Sequence, residues 1–67
     1  MIDYSNSQIR ELIAEYIHSE RDRGILARRL IDGITFERLA EEFEMSPKQV
    51  RVIVHRQEQV LFKHIPG

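Results

Sequence analysis

The stretch Thr35-Phe36-Glu37-Arg38-Leu39-Ala40-Glu41-Glu42-Phe43-Glu44-Met45-Ser46-Pro47-Lys48-Gln49-Val50-Arg51 holds two helix-start signals so close together that only a short helix fits between them. Thr35 is a capping residue whose hydroxyl can accept a first-turn amide, and Ile34 and Leu39 flank it at the spacing of a hydrophobic staple. Phe36, Leu39, Ala40 and Phe43 then recur on one helical face. At Ser46-Pro47-Lys48-Gln49 the signal repeats. Ser46 and Gln49 fit a reciprocal capping box, Pro47 takes the first helical position, where its missing N–H costs nothing, and Met45 and Val50 supply a second staple. The pattern predicts a short helix at 35–43 and a longer one at 46–62 that stops before Pro66. A connection of about two residues around Glu44 forces such helices to cross steeply. Ala40 is small enough to let their backbones approach, and Leu39, Phe43, Met45, Val50 and Ile53 can close a core over the crossing.

The same grammar extends towards the amino terminus. Ser5 and Gln8 form a capping box, with Tyr4 and Ile9 as the staple, and Ile9, Leu12, Ile13, Tyr16 and Ile17 make one stripe of a helix over 6–18. Ser19 and Asp22 start another at 20–31, unless it runs on from the first through His18. Its expected buried stripe is Leu26, Ala27, Leu30 and Ile31. Arg28 and Arg29 suit its negative end, and Gly33 is free to take the left-handed terminus. No segment alternates like a strand. The expectation is an all-α, compact four-helix domain (helices about 6–18, 20–31, 35–43 and 46–62). It occupies 1–67 as a single domain, with a helix-turn-helix proper at about 35–56.

Sixty-seven residues, 42% hydrophobic and 31% charged, suit one globular domain. Without Cys there is neither a disulfide framework nor a thiolate zinc site. His18, His55 and His64 are too scattered in sequence to suggest a metal centre. No nucleophile–base pair, Gly-rich phosphate loop or paired-carboxylate pocket is legible, so neither enzyme activity nor a cofactor is expected. No apolar run approaches the roughly 18 residues of a spanning helix, and no basic-then-apolar leader opens the chain; a cytoplasmic protein with no membrane partner is expected. The net charge of −1 conceals a strong asymmetry. Residues 1–45 carry six Lys and Arg against ten Asp and Glu, whereas residues 46–67 carry Lys48, Arg51, Arg56 and Lys63 against Glu58 alone. Such polarisation says more about partners than the sum does.

The stretch from Thr35 to Arg51 resembles the helix-turn-helix of the fourth region of bacterial sigma factors, shared by the related response-regulator DNA-binding domains. Leu30-Ile31-Asp32-Gly33-Ile34-Thr35 is similar to the segment leading into that motif, and the likeness covers about residues 19–62. Glu44 departs from it, standing where the family usually places Gly in a left-handed turn. The chain is too short to hold the core-polymerase and promoter-melting regions as well. The resemblance therefore implies DNA recognition by the fourth helix, in a bacterial, plasmid or phage regulator, not a complete sigma factor.

The residues of the fourth helix read the same way. At 100° per residue, Val50, Ile53, Val54, Gln57 and Leu61 share one side, while Lys48, Arg51, Val52, His55, Arg56 and Gln59 share the other. A major groove has phosphates on its rims and base edges on its floor, and it rewards this mixture of cations, amide and small apolar groups. The candidate DNA-binding residues are Ser46, Lys48, Gln49, Arg51, Val52, His55 and Arg56. Arg51 can pair with guanine, Gln49 with adenine or phosphate, and Val52 with a thymine methyl, while amides at Ser46 face phosphate. Leu61, Phe62 and Ile65 offer an apolar tail for a homodimer; the competing expectation is that they fold back over the first helix. The other reading of the whole domain is a protein-interaction module, contacting RNA polymerase or a phage or plasmid assembly through the acidic first three helices or that tail.

Overall fold

The computed structural model describes residues 5–64, in which four helices follow one another: α1 (Asn6–Tyr16), α2 (Glu20–Leu30), α3 (Phe36–Glu42) and α4 (Pro47–Lys63). No strand occurs among the described residues. Each helix starts where a hydroxyl residue can satisfy a first-turn amide: Ser5 accepts from the Gln8 amide, Ser19 from Asp22, Thr35 from Arg38 and Ser46 from Gln49. Ser5 and Ser46 form full capping boxes. Tyr4, the expected staple partner of Ile9, lies outside the described residues, as do Ile65 and Pro66.

α1 is shorter than expected and is not continuous with α2. Ile17 takes extended backbone (φ −104, ψ 119) and drives its side chain into the core. The carbonyls freed at this helix end find a donor that sequence spacing does not announce. Arg23 of α2 reaches back, its Nε to the Ile17 carbonyl and its Nη2 to the Ala14 carbonyl at 2.8 Å. His18 is exposed in the connection. In α2 the buried residues are Asp22, Ile25 and Leu26; Ala27, Leu30 and Ile31 are only half-buried. The inward face is thus centred nearer the amino end of α2 than the expected stripe. The reason is that α2 packs against α4 as well as α1 and α3. Gly24 makes one of these approaches possible: a Cβ there would stand 3.2 Å from Phe43 Cζ. Gly33 ends the segment at φ 69, in the expected left-handed conformation.

α3 and α4 are joined by Phe43–Ser46, and this turn closes as a Schellman motif. The Met45 amide donates to the Ala40 carbonyl at 2.9 Å and the Glu44 amide to the Glu41 carbonyl at 3.4 Å. Such a closure needs a left-handed residue just past the helix, and Glu44 supplies it at φ 54. Leu39, Ala40, Val50 and Ile53 are buried around the turn, joined by Ile13, Ile17, Ile25, Leu26, Val54 and Leu61 in one core.

The carboxyl end corrects one expectation. Leu61 is 3% exposed, because the inward stripe of α4 continues through it where α1 and α4 pack together. It is therefore not available to a second copy of the chain. Phe62, one position round the helix, is exposed, and Ile65 lies outside the described residues. His64 stacks on Tyr16 with ring centroids 3.8 Å apart, which ties the end of α4 to the end of α1.

Candidate nucleic-acid interface

α4 packs against all three other helices, as α2 does, and this fixes which way it faces. Val50, Ile53, Val54 and Leu61 are buried, and Gln57 is half-buried. Lys48, Gln49, Arg51, Val52, His55, Arg56 and Gln59 are all exposed. The division follows from the 3.6-residue period: with 50, 54, 57 and 61 turned inward, 48, 52, 55 and 59 must lie opposite. The structure thus brings the expected residues onto one solvent-facing surface, with Ser46 exposed at its amino end.

Their individual geometry refines what each can do. Gln49 holds its Oε1 against the Ser46 amide at 3.1 Å as half of the capping box. Its carbonyl is therefore occupied, and paired donor–acceptor contact with adenine would require breaking the cap; only its Nε2 amino group is left to donate. The Gln49 amide is likewise taken, by Ser46 Oγ at 3.1 Å. Pro47 has no N–H, so of the first-turn amides only that of Lys48 lacks a partner among the described residues. The expected row of free amides at Ser46 reduces to that one.

Arg51 leans towards α3, with its guanidinium carbon 5.5 Å from the centre of the Phe36 ring. Arg29 lies over the same ring at 4.3 Å and donates to the Ile34 carbonyl at 3.0 Å. The negative face of an aromatic ring attracts such cations and restricts their motion. Arg56 and Lys48 flank the other side of the helix. There a cleft of about 330 Å³ runs between α4 and the start of α2, lined by Arg21, Met45, Lys48, Gln49, Val52, Ile53 and Arg56.

Arg21 is a residue that sequence reasoning missed. It lies in the acidic half of the chain, within the first turn of a helix, and nothing in its spacing links it to residues 48–56. The link is tertiary: Gln57 Nε2 donates to Asp22 Oδ2 at 2.7 Å, so α4 docks on the first turn of α2 and brings Arg21 alongside. Asp22 is 6% exposed, a burial that its place in the helix-start signal does not announce.

No family model, characterised protein or solved structure matches this chain.

The acids of α3 are partly used within the fold. Arg28 pairs with Glu42 and, at 3.2 Å, with Asp32. Hydrogen bonding to Arg28 holds the Glu42 carboxyl below the usual glutamate range, and the same contact raises the Arg28 guanidinium. Neither residue belongs to α4. Among the described residues no three His, Cys, Asp or Glu side chains converge as metal ligands would, and no helix is long and apolar enough to cross a membrane.

Proposed function

We propose that this chain is a DNA-binding transcriptional regulator of the bacterial cytoplasm, with α4 inserted in the major groove of double-stranded DNA. One observation carries the reading. The inward side of α4 is apolar apart from Gln57, while its exposed side gathers Lys48, Gln49, Arg51, His55 and Arg56 around the lone small apolar residue Val52. A polar face that only needed hydration would require neither this excess of cations nor an exposed valine at its centre. The likeness of Thr35–Arg51 to the helix-turn-helix of sigma factors' fourth region supports the same reading.

In the groove, Lys48 and Arg56 serve the phosphate rims, Arg51 reaches a guanine edge, and Val52 meets a thymine methyl. Gln49 donates its Nε2 to phosphate and keeps its cap. So few phosphate contacts bind weakly at physiological salt, because each contributes affinity that salt removes. A second copy, or a neighbouring DNA-bound protein such as RNA polymerase, would add the remainder.

Duplex fragments titrated at two salt concentrations test the proposal. Arg51→Ala should weaken binding by about 1–3 kcal/mol and relax the preference at one base pair. Arg56→Ala should weaken all sequences alike and flatten the salt dependence by about one unit of slope. Both side chains are exposed, so both variants should keep the parent's helical circular dichroism. Parent-like binding by both variants would sink the groove reading, and the protein-interaction module would take its place.

A further inference from the structure

The cleft between the start of α2 and α4 has a charge pattern that neither helix produces alone. Met45, Val52 and Ile53 give it apolar walls, Arg21 stands on one side and Lys48 and Arg56 on the other. Among the described residues, no acidic side chain lines it.

Arg21 is held in place. Its Nε lies 3.3 Å from Asp22 Oδ1, and the other oxygen of that nearly buried carboxylate accepts from Gln57 of α4. The Asp22–Gln57 contact thus sets where the guanidinium sits relative to α4. With Nε engaged, both terminal nitrogens of Arg21 are left without a partner among the described residues, on a side chain 56% exposed. Three cations bordering one open space repel each other, and an anion between them lowers that energy. An arginine whose two terminal nitrogens are both free to donate matches the oxygens of a phosphodiester better than a point charge does.

We propose that this cleft is a phosphodiester subsite, which takes one backbone phosphate of the duplex between Arg21, Lys48 and Arg56. The inference rests on the groove reading of α4 and extends it: α2 contributes a contact of its own, and Asp22 and Gln57 are positioning residues for it. Phosphate contacts carry no base information but fix how a recognition helix lies along the groove. The second anchor, displaced from α4, therefore adds affinity for any duplex, while Arg51 and Val52 do the base reading.

The test is fluorescence anisotropy with the full chain, a preferred duplex and an unrelated duplex, across a salt series. Arg21→Gln should weaken both duplexes by the same factor and lower the salt slope by about 0.9. Arg21→Lys should restore the slope but only part of the affinity, since it keeps the charge and loses the paired geometry. Thermal unfolding of both variants checks that the fold is retained. If the parent binds with a steep salt slope and Arg56→Gln flattens it while Arg21→Gln leaves it unchanged, the subsite is refuted and the groove reading stands. A loss confined to one base pair in Arg21→Gln would make Arg21 a base reader and likewise overturn the phosphate assignment. A parent with no salt-dependent binding to either duplex removes the groove reading and this subsite with it.

Discussion

Glu44 and Gly33 offer a paired experiment on backbone strain. Both residues sit at positive φ, 54 and 69 respectively, but only one is a glycine. A side chain in the left-handed region brings Cβ against the following carbonyl, at a cost of roughly 1–2 kcal/mol. Glu44→Gly relieves that strain and adds unfolded-chain entropy of about 0.4–1 kcal/mol. Glu44 is exposed, and its carboxylate makes no hydrogen bond or ion pair among the described residues. The net effect should therefore fall between neutral and about 1.5 kcal/mol of stabilisation. Gly33→Ala runs the other way. An added Cβ would meet nothing within 4 Å, so the backbone conformation alone acts, and the variant should lose about 1 kcal/mol. Urea unfolding of the two variants and the parent, with slopes compared to confirm that the unfolded ensembles match, measures both differences. Glu44→Ala separates the roles of backbone and side chain: it keeps the strain and removes the carboxylate, so it should resemble the parent. A loss above about 1 kcal/mol in Glu44→Gly would refute the argument and show that the turn tolerates glutamate because its side chain contributes a contact.

Leu39 is fully buried beneath the α3–α4 turn, and Leu39→Asp should unfold the domain, because an unpaired buried charge costs several kcal/mol; a cooperative thermal transition in that variant would contradict the packing. Gln57→Leu should cost about 1–3 kcal/mol in urea unfolding, since it leaves the buried Asp22 carboxylate without its α4 donor, whereas an unchanged midpoint would mean that water or Arg21 replaces the bond. The depressed Glu42 carboxyl makes a contribution to stability that is complete above the unfolded glutamate value, about 4.3, and disappears as pH falls through the lower folded value. Glu42→Gln should therefore be less stable than the parent near neutral pH and match it in strong acid; two melting curves that stay parallel across that range would show that the Arg28 contact does not hold the proton off.

Local chemistry made most of the fold legible. Caps and staples act within a few residues, so Ser5, Ser19, Thr35 and Ser46 mark the four helix starts without reference to anything distant. Helical periodicity then separates the two faces of α4, and the left-handed conformation of Gly33 follows from where a helix signal stops, whereas that of Glu44 is what the likeness to the sigma-factor motif implies. All of these are short-range effects that a linear reading can weigh. The first helix end, the centre of the α2 face, the burial of Leu61 and the place of Arg21 are of another kind. Each depends on a partner far along the chain: Arg23 for the carbonyls of α1, Phe43 for Gly24, the α1–α4 packing for Leu61, and Gln57 for Asp22 and hence Arg21. Where helices begin and which side of α4 is polar can be read along the chain, because propensity, capping and periodicity are properties of neighbouring residues. Which apolar residues at the ends are covered and which cations stand together emerges once the helices pack, because burial and electrostatic grouping depend on distances in space that residue spacing does not encode.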